Sequence, residues 1–175
     1  MKIVFIILFM LIGFQACSMH KISEYEALNA YNQGNYKKAY GFYKELCDSG
    51  KAMGCYNLGN MYYLGGVGVK QSYSSAKEFQ HKACEGGYID GCYNLAVLYR
   101  DGQGVKQNYF KAVKLFEKTC ENGRLAGCYN VGFMYKNGQG VKQSYSNAKV
   151  FYHKACEGGL PYGCEKYSIL DKKGY

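Results

Sequence analysis

Residues 83–94 read ACEGGYIDGCYN, and the same arrangement of cysteines and glycines recurs along the chain. In each occurrence two cysteines lie eight residues apart, and the occurrences follow one another at intervals of 37, 36 and 36 residues. The four pairs are Cys47/Cys55, Cys84/Cys92, Cys120/Cys128 and Cys156/Cys164. Self-similarity with a nearly constant period of this length is typical of repeat architectures. The chain is therefore predicted to be an array of similar units.

Each unit contains two helical patterns separated by a glycine-containing loop. Leu95, Leu98 and Tyr99 recur at spacings of three and four residues, which gives a helix one apolar face. Asn108 precedes the second pattern as a helix N-cap, and serines take its place in two other units. The predicted fold class is all-α, a right-handed α-solenoid of helix pairs. The patterns predict helices near 24–32, 36–48, 52–64, 73–85, 89–100, 109–121, 125–136, 145–157 and 161–171.

The cysteines of each pair are expected to face each other across the turn between two helices. Cys84 ends one predicted helix and Cys92 opens the next, so a Cα separation near the roughly 5.5–6 Å of a disulfide is expected. Four disulfides, one for each pair, are therefore predicted to staple the helix pairs. The alternative is a zinc site, but tetrahedral zinc sites have only about two to four residues between paired cysteines. No metal site is predicted.

The first eighteen residues have the pattern of an export signal. Lys2 precedes twelve uncharged residues, 3–14, which are too few to span a bilayer about 30 Å thick as a helix. Two cleavage sites fit the residues that follow. Cleavage after Ser18 defines a signal peptide of residues 1–18, whereas cleavage before Cys17 ends a lipoprotein signal at residue 16 and leaves Cys17 for lipidation. We expect a secreted or periplasmic protein, or one that is lipid-anchored in the envelope.

Composition narrows the classes of partner. A hydrophobic content of 48%, with 20 tyrosines and nine phenylalanines, excludes an intrinsically disordered chain. The net charge of +9 favours acidic partners or surfaces but has no bearing on the fold. Export separates the chain from most nucleic acid, so no nucleic-acid partner is expected. The membrane is expected as a partner only through a lipid anchor, and no cofactor is expected.

The units resemble a known repeat. From Cys55 onward the chain reads C-Y-N-L-G-x-M-Y-x-x-G-G-x-G-V-x-x-x-Y-x-x-A, which resembles Sel1-like repeats, relatives of the tetratricopeptide repeats. With paired cysteines in every unit, the chain resembles the Helicobacter and Campylobacter cysteine-rich proteins of that class. The resemblance implies a secreted or periplasmic, disulfide-stapled α-solenoid. Some members of the class are described as penicillin-binding proteins or β-lactamases, and others as secreted factors that engage host cells.

The predicted domain organisation follows from the repeats and the export signal. Residues 1–18, or 1–16 for a lipoprotein, form the signal segment. A Sel1-like repeat solenoid over residues 23–172 holds roughly four repeats and a C-terminal capping helix with a polar outer side, as terminal repeats require. Residues 173–175 are a short tail.

A catalytic function is the alternative that the resemblance raises. A serine β-lactamase needs S-x-x-K at the start of a helix, where the lysine can activate the serine hydroxyl. Two stretches have this spacing, Ser74 with Lys77 and Ser146 with Lys149. They are weak candidates for catalytic residues, because both belong to the ordinary repeat register and the chain contains no K-T-G sequence. Metal-dependent hydrolysis needs clustered histidines, and the three in this chain are far apart in sequence.

Asparagine recurs at one position of three units, in the sequence Cys-Tyr-Asn. In tetratricopeptide-like arrays the helix that carries it lines the concave face, where an amide can donate to and accept from a peptide backbone. We therefore expect a groove that binds a peptide, a peptidoglycan fragment or a partner protein, with a β-lactam as the alternative ligand. The competing interpretation is structural, with the amides bonded to buried turn carbonyls. The candidate groove residues are Asn57, Asn60, Asn94, Asn130, Arg100 and Lys136.

Overall fold

A computed structural model describes residues 23–66 and 68–175, and the named elements of these two segments are all helices. The predicted signal segment and Cys17 lie outside the described residues. Within them the helices are α1 (Glu24–Asn32), α2 (Tyr36–Asp48), α3 (Ala52–Leu64), α4 (Tyr73–Glu85), α5 (Ile89–Asp101), α6 (Tyr109–Glu121), α7 (Leu125–Asn137), α8 (Tyr145–Glu157) and α9 (Pro161–Lys172).

Three helices, α5, α7 and α9, end one residue later than predicted. In α5 and α7 the next residue is a left-handed glycine, Gly102 or Gly138, whose N–H donates to the carbonyl of Leu98 or Met134. This glycine C-cap carries the helix up to the residue directly before it.

The helices form a solenoid in which each helix packs mainly against its neighbours in the chain. Odd-numbered helices open a unit and even-numbered helices close it. Because the contacts are mostly local, a unit completes the burial of its apolar face only when the next unit stacks on it. The predicted all-helical solenoid is confirmed. Every helix within residues 23–66 and 68–175 is too short or too polar to span a lipid bilayer.

A three-residue turn of one geometry joins each even-numbered helix from α2 onward to the next odd-numbered helix. After α4, Gly87 has a φ of 84°, in the left-handed region that favours glycine. The main-chain N–H of Tyr88 donates to the carbonyl of Ala83 at 2.9 Å, which closes a Schellman motif. The recurring glycine therefore sets the position of every cysteine pair. The equivalent bond is also 2.9 Å long from Lys51 to Leu46, from Arg124 to Thr119 and from Leu160 to Ala155.

These turns bring the two cysteines of each pair within bonding distance. Their Cα atoms lie 4.4–4.6 Å apart, and the structure contains the disulfides Cys47–Cys55, Cys84–Cys92, Cys120–Cys128 and Cys156–Cys164. Each disulfide joins the end of an even-numbered helix to the first turn of the next unit, which is the predicted pairing. Four disulfides indicate a non-cytoplasmic, oxidising compartment.

The G-x-G-V-K-Q loops that follow α5 and α7 hold these helices to the rest of the array. Gln107 Nε2 donates to the main-chain oxygen of Arg100 at 2.8 Å, and so satisfies a carbonyl at the end of α5. Gly104 has a φ of 66°, and a side chain there would overlap the main chain of Tyr73 in the preceding unit. The glycine therefore allows the loop to dock closely on its neighbour.

The eighth residue of each even-numbered helix lies at the centre of its unit. In three of them this residue is aromatic and at most 1% exposed: Tyr43, Phe116 and Tyr152. In α4 the same position is held by Gln80, which is also 1% exposed. One unit therefore has a buried amide where the others have a ring.

Candidate functional site

Three of the predicted asparagines, Asn60, Asn94 and Asn130, lie where odd-numbered helices of successive units meet. Asn94 of α5 donates to Asn60 Oδ1 of α3 at 2.9 Å, and Arg100 of α5 donates to Asn130 Oδ1 of α7 at 2.9 Å. These bonds run directly between odd-numbered helices, so the helices present one continuous face, here called the asparagine surface. It comprises Asn57, Asn60, Tyr63, Tyr93, Asn94, Val97, Arg100 and Asn130.

Asn60 joins two units through its side-chain oxygen. Oδ1 accepts from Asn94 Nδ2 at 2.9 Å and from Gln80 Nε2 at 2.8 Å. Gln80 was not predicted from the sequence as part of this site. A comparison of the repeats could have identified it. The eighth residue of the even-numbered helices is aromatic in three units and is the amide Gln80 in the fourth.

The contacts of Asn130 favour the structural interpretation of this residue over a place in the ligand groove. It is 7% exposed. Its Nδ2 donates to Ala126 O at 2.7 Å and to Tyr93 Oη at 3.2 Å, while its Oδ1 accepts from Arg100. Both amide hydrogens and the oxygen are thus used within the protein, which leaves no amide hydrogen for a ligand.

Asn57 and Asn94 keep hydrogen-bonding capacity that the protein does not use. Both are half-buried. Asn57 Nδ2 donates to the main-chain oxygen of Met53 at 3.0 Å, and Asn94 Nδ2 donates to Asn60. Within the described segments neither side-chain oxygen accepts a hydrogen bond from the protein. These two amides can therefore pair with a ligand as acceptors.

The two candidate basic residues, Arg100 and Lys136, differ in how far their charged groups are already bound within the protein. Arg100 binds Asp101 through Nε at 2.7 Å and through the second terminal nitrogen at 3.0 Å, and its guanidinium also lies over the Phe116 ring. The hydrogen bond to Asp101 raises the pKa of Arg100 above its ordinary value. Arg100 is therefore committed to the scaffold, whereas Lys136 is exposed at the end of α7.

The structural role of Asn130 leads to a stability prediction. We expect Asn130→Ala to lower the free energy of unfolding by about 1–3 kcal/mol, because it leaves Arg100 and Tyr93 without their shared partner in a buried setting. Urea unfolding of the oxidised protein measures this. The matched control is Asn137→Ala, which removes a similar bond to a carbonyl four residues earlier, but from an exposed residue. Equal effects of the two substitutions would contradict the assignment.

The serine–lysine candidates are not hydrogen-bonded to each other. Ser74 Oγ lies 3.1 Å from Ser72 Oγ, and no bond joins it to Lys77. Lys149 Nζ donates instead to Asp171 Oδ1 at 2.7 Å and to the main-chain oxygen of Tyr175 at 2.6 Å. A lysine so engaged is not placed to take a proton from Ser146. These contacts do not favour a serine β-lactamase site.

The histidines of the described segments pair with glutamates of their own helices. His81 Nδ1 lies 3.2 Å from Glu85, and His153 Nδ1 lies 3.6 Å from Glu157. No group of three or more histidine, cysteine, aspartate or glutamate side chains that could hold a metal ion occurs in residues 23–66 and 68–175.

Comparison with known proteins identifies the repeat. The Sel1 repeat matches residues 29–51, 52–88, 89–123 and 125–160. Cysteine-rich protein B of Helicobacter pylori is 28% identical in sequence, with a TM-score of 0.58 over 75% of this chain and 93% of that protein. A search among curated proteins returned no match.

Two longer solved structures have a similar fold. A protective antigen of uropathogenic Escherichia coli with an SLR fold is 31% identical, with a TM-score of 0.80 over 85% of this chain. A Sel1 repeat protein from Oxalobacter formigenes is 22% identical, with a TM-score of 0.80 over 87% of this chain, and shows likeness of fold alone. The present chain spans 32% of the first protein and 62% of the second.

Proposed function

Because the chain belongs to the Sel1 repeat family, we propose that it binds an extended segment of a protein partner along the asparagine surface. Sel1 repeat proteins generally bind protein partners, and the predicted relation to Sel1-like, cysteine-rich proteins is confirmed. The finer proposal, a peptide segment held by this surface, rests on the contacts of its side chains.

The unused oxygens of Asn57 and Asn94 carry this proposal. They lie at the same position of successive units, on a face that also presents the aromatic ring of Tyr63 and the apolar Val97. An extended peptide offers N–H groups at regular intervals and directs alternate side chains to one side. Amide acceptors repeated along a solenoid can therefore bind the backbone of a partner, while the apolar residues between them contact its side chains. The net charge of +9 adds long-range attraction for acidic segments.

The proposal places this binding outside the cytoplasm. Residues 1–18 direct export, with cleavage either after Ser18 or before Cys17, and the second route leaves a lipid anchor on Cys17. The solenoid of residues 23–172 is then the part of the exported chain that binds the partner. The four disulfides support this compartment, since their formation needs oxidising conditions.

A displayed library of random peptides tests the binding surface. Peptides selected on the oxidised protein are measured by fluorescence anisotropy against the Asn57→Ala/Asn94→Ala double variant. We expect affinity to fall by about five- to 140-fold, since each of the two lost hydrogen bonds contributes roughly 0.5–1.5 kcal/mol and a tenfold change is about 1.4 kcal/mol. The matched control is Asn122→Ala. Asn122 follows the last residue of α6, and its side-chain amide donates to the Lys118 carbonyl at 2.8 Å. It should leave affinity within about twofold.

Two results would contradict this function. One is the absence of any enriched peptide, and the other is equal binding of the selected peptides to wild type and double variant. Purified peptidoglycan provides the contrasting ligand. If the protein sediments with peptidoglycan and no peptide is selected, the surface binds the cell wall and the protein-partner assignment is wrong.

A further inference from the structure

The segments that join each odd-numbered helix to the next even-numbered helix lie along one edge of the solenoid. Each loop from the second unit onward docks on the first turn of the preceding even-numbered helix, where a Cβ added to the loop glycine would contact main-chain atoms. The docked pairs are Gly68 with Lys37, Gly104 with Tyr73 and Gly140 with Tyr109. These contacts join the segments into one continuous surface, here called the loop edge. It comprises residues 33–38, 64–66, 68–74, 101–111, 136–146 and 171–175.

The loop edge carries positive charge that the protein does not neutralise. Of the 13 acidic residues of the chain, two lie on this edge, Asp101 and Asp171. Each is already paired at 2.7 Å, Asp101 with Arg100 and Asp171 with Lys149. Nine lysines of the edge are exposed, and in residues 23–66 and 68–175 none of them forms an ion pair with a carboxylate. They are Lys37, Lys38, Lys70, Lys106, Lys111, Lys136, Lys142, Lys172 and Lys173.

Charges of both signs are mixed in the rest of the described chain. All the other acidic residues lie outside the loop edge, and several are paired with basic side chains there. Lys44 binds Asp48 at 2.7 Å, and Arg124 binds Asp90 of the preceding unit. The net charge of +9 is therefore concentrated on one side of the solenoid rather than spread over it.

Two large apolar side chains are exposed among these lysines. Leu64, the last residue of α3, is 65% exposed, and Phe110, the second residue of α6, is 61% exposed. In α4 and α8 the position of Phe110 is held by the serines Ser74 and Ser146. A dissolved polyanion offers no apolar phase for a leucine or a phenylalanine, whereas the boundary between lipid headgroups and acyl chains does.

We propose that the loop edge binds the surface of a membrane that contains anionic lipids. The unpaired lysines attract the lipid phosphates, and Leu64 and Phe110 enter the layer below the headgroups. This contact is additional to the lipid anchor expected at Cys17 and does not depend on it. It uses no side chain of the asparagine surface, so a membrane-bound molecule can still bind a protein partner.

Sedimentation with lipid vesicles tests this contact. The oxidised protein consists of residues 19–175, because the apolar residues 3–14 would bind lipid by themselves. We expect binding to vesicles of phosphatidylcholine with phosphatidylglycerol and none to phosphatidylcholine alone. Added salt should weaken the binding, since it screens the attraction between lysines and phosphates. Absence of binding to the anionic vesicles, or equal binding to both compositions, would overturn the proposal.

A triple variant removes one lysine from each of three loops. We expect Lys70→Gln/Lys106→Gln/Lys142→Gln to weaken vesicle binding about 100-fold, since one lysine at an anionic surface contributes about fivefold. These side chains are exposed, so circular dichroism should show an unchanged fold.

The matched control changes the charge by the same amount outside the loop edge. Lys51→Gln/Lys118→Gln/Lys154→Gln replaces three exposed lysines that also lack an ion pair in the described segments. It should weaken vesicle binding by about threefold at most, through the lower net charge. Equal losses in the two triple variants would show that total charge, and not the loop edge, determines binding.

A substitution of Phe110 separates a membrane from a soluble polyanion. Phe110→Ser gives α6 the residue found in α4 and α8, and we expect it to weaken vesicle binding about tenfold through lost apolar burial. Retention on a heparin column should not change, because the lysines remain. If Phe110→Ser leaves vesicle binding unaltered while the loop variant weakens vesicle and heparin binding alike, the loop edge binds polyanions in general and the membrane assignment is wrong.

Discussion

Reduction of the four disulfides is expected to unfold the chain at room temperature under conditions in which the oxidised protein is fully helical. Each disulfide closes a loop between cysteines eight positions apart. Loop-closure entropy gives about 2.5 kcal/mol for a ring of that size, hence about 10 kcal/mol for all four. A domain of ordinary stability has only about 5–15 kcal/mol in total. The four disulfides therefore supply most of the free energy of unfolding of the oxidised protein.

Thermal unfolding followed by circular dichroism, with and without a reductant, measures this effect. Removal of a single internal pair, Cys120→Ser/Cys128→Ser, serves as the graded control and should cost about 2.5 kcal/mol. The pair Cys156/Cys164 lies at the end of the array, so its removal should loosen mainly α9. A reduced protein that keeps its helicity and loses less than about 5 °C in Tm would show that packing alone sustains the solenoid.

The second large effect is expected at Gly54, the third residue of α3. A Cβ at this position would lie 2.6 Å from Leu46 Cβ, 2.7 Å from Cys47 N and 2.9 Å from Tyr43 O. The two main-chain atoms belong to α2, and the Cys47–Cys55 disulfide beside the contact prevents the helices from separating. We expect Gly54→Ala to cost about 3 kcal/mol through overpacking. Urea unfolding of the oxidised protein measures it.

Gly41 provides the matched control for this substitution. It lies in α2, is exposed, and a Cβ there would meet no atom within 4 Å. Alanine is the better helix former by about 1 kcal/mol, so Gly41→Ala should stabilise the protein slightly. The two identical changes are thus expected to have opposite signs. Equal or same-signed effects would show that close approach of α2 and α3 is not what requires glycine at position 54.

The helix pairs, most helix limits and the cysteine pairing could be predicted from the sequence. Each depends on residues only a few positions apart: the apolar spacing within one helix, the cap before it and the glycine of the three-residue turn. The repeat strengthens these local signals, because four units carry the same turn and cysteine spacing. The ends of α5 and α7 differed by one residue because the exact helix limit depends on the glycine C-cap geometry.

The candidate site was predictable only in part. Asn57, Asn94 and Asn130 occupy the same position of three repeats, but their surroundings differ. Asn57 and Asn94 are half-buried, whereas Asn130 is buried. Asn130 is buried because Arg100 and Tyr93 of the preceding unit close over it. Similarly, the spacing of Ser146 and Lys149 could not reveal that the lysine bonds the C-terminal residues.

The difference between what the sequence predicted and what only the tertiary structure decided has a physical basis. Helix formation, turn geometry and disulfide pairing are local, so the order of residues along the chain specifies them directly. The burial of Asn130 and the hydrogen bonds of Asn60 depend on side chains from two or three helices of different units. Such contacts arise only when the units stack, since the same residue meets a different neighbour in each unit. The helical architecture could therefore be predicted from the sequence, whereas the hydrogen-bonding state of the residues on the asparagine surface is decided by how the units pack.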